Sequence, residues 1–254
     1  MYKGFDLTGR VAALTGSSSG MGFAIARALC ECGAKVVLSG HLEPELDDAV
    51  ATLSRESYDV AGVVCDITRP EHVAVFGERS MSAFGKVDIL FALAAPQAPV
   101  GPLQAMTPDA FEKLLSGTVV SNFALARQFL PDMVERRDGS IVFMSSIAAE
   151  RANPVLGGYG AAKAALNSLV RNIAVEVGAF NVRANAISPS IVRTAFSKDI
   201  WSDDEREKAL LAKIPAGRIA TVDDIVGAAI LLASPGGSYI SGQTLLIDGG
   251  RSVW

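Results

Sequence analysis

The chain has 254 residues, half of them hydrophobic and 20% charged, a length and balance that suit one large domain with a sizeable buried core. Its formal net charge of −4, with Lys and Arg scattered along the chain, argues against nucleic acid as a partner. Apolar runs such as residues 225–233 stop well short of the roughly 20 residues of a membrane span, and the opening MYKGFDLTGR has no apolar signal core, so a cytoplasmic protein that does not enter membranes is expected.

Residues 11–14 are a short apolar run that passes into Thr15-Gly16 and then Gly20 and Gly22, after which Phe23, Ile25, Ala26 and Leu29 recur at helical spacing. This predicts strand, tight turn and helix. Glycine tolerates positive φ there and lets an anion approach the backbone, while the helix points free N–H groups at the same place. A nucleotide phosphate is the expected guest. A strand is predicted over 35–39, a helix over 44–55, a strand over 60–64, a helix over 70–84 and a strand over 87–93. That alternation argues for βαβ units and a parallel sheet. One long helix is predicted over 107–130, started by Thr107 with Pro108 at its first position. A strand follows over 140–144, then a helix over 159–177 that is more apolar than one buried face requires, and a strand over 182–187. The last helix, over 221–233, is to be capped by Thr221, and a strand over 243–247 closes the sheet. The expected fold is α/β, a single doubly wound Rossmann-like domain with about seven parallel strands and helices on both faces. Cys30, Cys32 and Cys65 sit at no metal-ligand spacing and read as buried thiols, with no metal site.

Four stretches stand out in order: TGSSSGMG at 15–22, the pair Ser145-Ser146 ending a strand, YGAAK at 159–163 and SGQTLLIDGG at 241–250. Together they resemble the short-chain dehydrogenase/reductase family over nearly the whole chain. The resemblance implies an oxidoreductase moving hydride between a nicotinamide cofactor and a ketone or secondary alcohol, a carbonyl reductase or alcohol dehydrogenase. Reducing a ketone leaves an alkoxide that needs a proton, and oxidising the alcohol needs a base at the same spot. Tyr159 is the implied acid/base, with Lys163 on the same helix face lowering its pKa and gripping the nicotinamide ribose. Ser146 would hydrogen-bond the substrate oxygen. The implied cofactor contacts are Gly16, Ser17, Ser19, Gly20, Met21 and Gly22 of the first loop, Gly40 and His41, Asp66 and Ile67, Ala94, Tyr159 and Lys163, and then Pro189, Val192 and Thr194. A carboxylate capping the next turn is the other reading of Asp66.

The departures from the family pattern matter as much. Many NAD enzymes of the family carry Asp where this chain has Gly40, and NADP enzymes often carry Arg where it has His41. With no carboxylate to repel a 2′-phosphate, and with Ser39, the Gly40 amide and His41 as donors, NADP(H) is favoured and NAD(H) stays open. Ala92-Leu93-Ala94-Ala95 stands in place of NNAG, which implies a differently packed core. Thr118 aligns with the family's catalytic Asn, and Asn122 one turn on is the alternative. Ser190 replaces a glycine. By the resemblance, residues 195–217 cover the substrate, with Phe196, Ile200 and Trp201 as apolar walls and Ile147, Arg151, Val155 and Leu156 opposite. Arg151 is read as a solvated loop charge, with contact to an anionic substrate as the alternative, so a mostly apolar carbonyl compound is expected. Family members pack their two long helices against copies of themselves, which implies a homo-oligomer, a tetramer or dimer. Two further readings stand beside the first: a 3-oxoacyl reductase or sugar-acid dehydrogenase, and a nucleotide-binding protein with impaired catalysis, motivated by Thr118 and the missing NNAG.

Overall fold

In the computed structural model, which describes residues 3–254, seven parallel strands lie in the order β3-β2-β1-β4-β5-β6-β7. They are β1 (Val11–Thr15), β2 (Lys35–Gly40), β3 (Val60–Val64), β4 (Ile89–Ala92), β5 (Gly139–Met144), β6 (Val182–Pro189) and β7 (Thr244–Ile247). The order reverses between β1 and β4, which leaves a crevice at the carboxyl ends of those strands, where open α/β sheets bind ligands. The helices are α1 (Gly20–Glu31), α2 (Glu43–Arg55), α3 (Pro70–Phe84), α4 (Pro108–Leu115), α5 (Ser121–Arg136), α6 (Gly157–Val177), α7 (Lys198–Trp201), α8 (Asp204–Leu211) and α9 (Asp223–Ala233).

Strand side chains alternate between two cores because consecutive residues face opposite sides of a sheet. Val11, Ala13 and Val37 join Phe76 of α3, Phe129 of α5 and Leu166 of α6 on one face. Ala12, Leu14 and Leu38 join Leu29 of α1, Leu46 of α2 and Leu232 of α9 on the other. Phe76 and Phe129 meet edge to face at 6.1 Å between ring centroids, which pins α3 to α5. At the amino ends of the strands the buried Asp88 accepts from the Val11 amide at 2.9 Å and pairs with Lys86 and Arg136.

The long helix expected over 107–130 differs in two ways. Thr107 does cap it, accepting from the Ala110 amide at 3.2 Å. Between α4 and α5, however, Ser116–Val120 form a π turn, a helical turn holding one residue too many. Beyond it α5 runs through Pro131 to Arg136, because Leu125, Phe129 and Met133 on one face are buried in the core and their packing outweighs the hydrogen bond that proline removes. The Thr221 cap is also inverted. Thr221 donates both its amide and its hydroxyl to Asp224, which Arg218 grips with two nitrogens at 2.6 and 2.7 Å. Cys30 and Cys65 are buried, and desolvation pushes each thiol up to about 12. No cluster able to hold a metal occurs among the described residues.

Candidate active site

The first loop is a backbone cradle. Gly16 and Gly20 have φ of 62° and 56°, the left-handed region that glycine reaches without strain. A Cβ on Gly22 would stand 2.1 Å from the Gly16 carbonyl, so only glycine lets α1 begin beneath the loop. Ser19 precedes α1 without a side-chain cap, which leaves the amides of the first turn unclaimed by side chains. Neighbouring elements close over this loop. Ala94 comes within 3.1 Å of where a Gly16 Cβ would lie, and Thr194 within 3.6 Å of where a Gly20 Cβ would lie. The Thr15 hydroxyl accepts from the Leu93 and Ala94 amides at 3.1 and 3.3 Å, tying β1 to the end of β4 where the family pattern has asparagines.

Two expected contacts lie elsewhere. Ser17 is fully buried, with its amide and hydroxyl donating to the Ser39 and Leu14 carbonyls at 2.7 and 3.0 Å and its oxygen receiving the Ser39 amide at 2.9 Å. It is a strut beneath the loop, with no hydrogen left for a cofactor. Ser39 is equally buried, with its hydroxyl unpartnered among the described residues. Sequence reasoning missed Ser18, whose hydroxyl lies 2.7 Å from the position of a Gly40 Cβ and so occupies the space an Asp there would need. Its signal was weak, one serine among three in SSS. His41 beside it is exposed. Asp66 fills the turn role with one oxygen, its Oδ1 receiving the amide and hydroxyl of Thr68 at 2.9 and 2.7 Å, bonds that lower its pKa; the adenine role is compatible with this. Ile67 is buried in the core, and Met21 packs against the other core. Val192 is buried and bridges Ala220, and Pro189 ends β6.

Ser146 follows β5 and caps the short turn Ile147–Ala149, accepting from the Ala148 amide at 3.2 Å. Tyr159 and Lys163 lie one turn apart on α6. The helix can approach Ser146 because Gly160 faces the turn: a Cβ there would sit 2.5 Å from the Ala148 carbonyl. Ser146 lies close enough to Tyr159 to act on its phenol. Desolvation raises the pKa of the phenol and Ser146 is the one neighbour that draws it down. This corrects the expected lowering by Lys163. The Lys163 ammonium, fully buried, lies 5.6 Å from the centroid of the Tyr159 ring and donates to the Met144 carbonyl at 2.7 Å. Desolvation drops its own pKa from 10.5 to about 8.

Thr118 sits in the π turn, fully buried, with its hydroxyl unpartnered among the described residues. Asn122 donates to the Thr118 carbonyl at 2.7 Å. The two residues therefore share the bend between them: Thr118 supplies its backbone, Asn122 its side chain. In the segment after β6, Ser197 ties Thr194 and Trp201 together, accepting from the indole at 2.9 Å, and the Arg193 guanidinium stacks 4.8 Å over the Trp201 ring. Ile200 and Val155 are exposed while Ile147 is buried. The side chain of Phe196, expected in that wall, lies outside the described residues.

A glycine cradle at the crevice of an open parallel sheet, beside a neighbouring serine, tyrosine and buried lysine, defines a dinucleotide-dependent oxidoreductase class. A family model described as enoyl-(acyl carrier protein) reductase matches residues 16–252. Dehydrogenase/reductase SDR family member 4 of Bos taurus is 37% identical over 250 residues, 98% of this chain and 90% of the relative. A gluconate 5-dehydrogenase from Burkholderia cenocepacia J2315, solved in complex with NADP and tartrate, superposes with a TM-score of 0.94 at 30% identity, over 99% of this chain and 98% of that one. A 7α-hydroxysteroid dehydrogenase complexed with NADH and 7-oxo glycochenodeoxycholic acid also gives 0.94, at 32% identity, over 98% and 97%. The chain belongs to the short-chain dehydrogenase/reductase family.

Proposed function

We propose that the protein is a nicotinamide-dependent carbonyl reductase or alcohol dehydrogenase with Tyr159 as its acid/base. The observation that carries this reading is the buried Lys163 ammonium 5.6 Å from the Tyr159 ring centroid, on a helix that packs through Gly160 against the turn Ser146 caps, beside the glycine cradle. The cradle suits a dinucleotide: its glycines leave room at Gly16 and Gly20, and Ala94 and Thr194 bound it. The cofactor supplies the hydride donor or acceptor; the chain supplies everything done with the proton. Ser146 holds the substrate oxygen, and Tyr159 gives its proton to that oxygen in reduction and takes it back in oxidation. Lys163 holds its ammonium 5.6 Å from the centroid of the phenol ring, on the side of the Met144 carbonyl to which it donates.

NADP(H) remains the favoured cofactor, supported by Gly40 in place of a carboxylate and by Ser18 and the exposed His41 as donors at that edge. A homo-oligomer, dimer or tetramer, is part of the reading. Val120 and Phe123 are 58% and 42% exposed at the start of α5, and on α6 the residues Ala161, Ala164 and Ala165 with Val175 leave an apolar face uncovered. Cytoplasmic location is likewise retained; no helix among the described residues is long and apolar enough to cross a membrane. The test mixes purified protein with NADPH and a panel of ketones and follows the absorbance of the reduced cofactor. Turnover by the wild type, cut about 10²- to 10⁴-fold in Tyr159→Phe, is expected. Tight nucleotide binding with no turnover of any ketone sinks the reading in favour of a binding protein.

A further inference from the structure

We propose that the carbonyl substrate carries a carboxylate and that Arg151 and Arg251, with Ser190, receive it; this rests on the oxidoreductase reading above and narrows its substrate class. Arg151 comes directly after the short turn that Ser146 caps, its amide donating back to the Ile147 carbonyl. Arg251 arrives from the other end of the chain, past β7. The two meet: an Arg151 guanidinium nitrogen donates to the Arg251 main-chain oxygen, and Arg251 donates to the Ser190 hydroxyl at 3.2 Å. Ser190 follows the last residue of β6. The group therefore bridges the carboxyl ends of β5, β6 and β7, the edge of the sheet on which Ser146 and Tyr159 also stand.

The group brings two guanidinium charges together, and the nearby Asp248 charge offsets only part of what burial and Arg151 do to Arg251. Both arginines are half-buried, and burial together with the neighbouring Arg151 charge holds Arg251 below the usual arginine range. Neither takes part in an ion pair among the described residues. The nearby acids are engaged elsewhere. Asp248 receives the Gly250 and Ser252 amides at 2.9 and 2.7 Å, and Glu150 receives the Asn167 amide group at 3.1 Å. The Arg251 Nε is buried with no partner. Two cations brought together out of water are costly unless an anion joins them, and a planar guanidinium fork matches a carboxylate with two parallel bonds. Of the two readings of Arg151, the proposal takes up the contact with an anionic substrate, as one half of a carboxylate clamp.

The experiment compares levulinate with its methyl ester, and 5-oxohexanoate with its methyl ester, as substrates with NADPH. For the wild type, kcat/KM for at least one acid is expected to exceed that of its ester tenfold or more. In Arg251→Gln and in Arg151→Gln the acid is expected to lose at least tenfold more than the ester, chiefly through KM, and Arg251→Lys is expected to recover part of the loss. Equal rates for acids and esters in the wild type, or parallel losses in the variants, overturn the proposal. Binding of levulinate to the protein with NADP⁺, measured by calorimetry, is read separately: binding that Arg251→Gln abolishes supports the clamp, and absent or unchanged binding overturns it. Turnover of esters and neutral ketones alone leaves the oxidoreductase reading standing while removing the clamp. Failure with every ketone removes that reading, whatever levulinate does.

Discussion

The half of the molecule built on β1 to β4 and the half built on β5 to β7 solve different problems with different materials. The first offers a nucleotide almost nothing but backbone: positive-φ glycines, unclaimed amides, and a small neighbour at Ala94. The second is made of side chains whose ionisation the fold has altered, with the Tyr159 phenol raised and the Lys163 ammonium lowered by burial. A backbone site fails when its shape changes. A side-chain site fails when its charges or protons change.

The sharpest way to break the first half is Gly22→Ala. The new methyl would meet the Gly16 carbonyl at 2.1 Å and the Ser17 Cα at 2.8 Å, both backbone, so the loop itself must move. Loss of NADPH binding in a fluorescence titration is expected, with about 1 to 3 kcal/mol lost in urea unfolding. Nucleotide affinity unchanged from wild type would show that the cradle is not where the phosphates rest.

The second half is probed by pH. The unfolded chain keeps the Lys163 proton up to an ordinary pKa of 10.5, whereas the buried amine releases it near 8. Between those values the unfolded state binds more protons, so raising the pH favours the fold. The gain is at most roughly 1.4 kcal/mol per pH unit. Lys163→Met should be inactive yet lack this gain, which urea titrations at pH 7.5 and 10 measure as a difference between the two proteins. The smallest effect is expected from Gly40→Asp combined with Ser18→Gly, which clears the hydroxyl standing where the Asp side chain must go. A shift of tenfold or more in relative kcat/KM from NADPH toward NADH is expected; no shift in preference would place cofactor choice elsewhere.

The same contrast explains how much could be read from residues alone. Periodicity and glycine spacing located all seven strands and the cradle, because strand alternation and positive φ leave direct marks on composition. Ser146, Tyr159 and Lys163 were visible as a motif, but the direction of the Tyr159 shift was not, since desolvation depends on what packs around the phenol. Ser17 misled for a related reason. A serine in a phosphate-type loop looks like a donor to the ligand, and only the fold shows that its hydrogens go to Leu14 and Ser39. The meeting of Arg151 with Arg251 joins positions a hundred residues apart, a closeness that local pattern cannot express.

The π turn at Ser116–Val120 carries a consequence for how this chain tolerates change. It amounts to a single inserted residue, absorbed where α4 hands over to α5. Each residue of an α-helix turns the chain by about 100°, so trimming that insertion would straighten the helix but swing the downstream stripe of Leu125, Phe129 and Met133 away from the sheet. Length in this turn is thus under tighter constraint than identity: the chemistry of α6 and the interior of the domain stay in phase only while the surplus residue is kept.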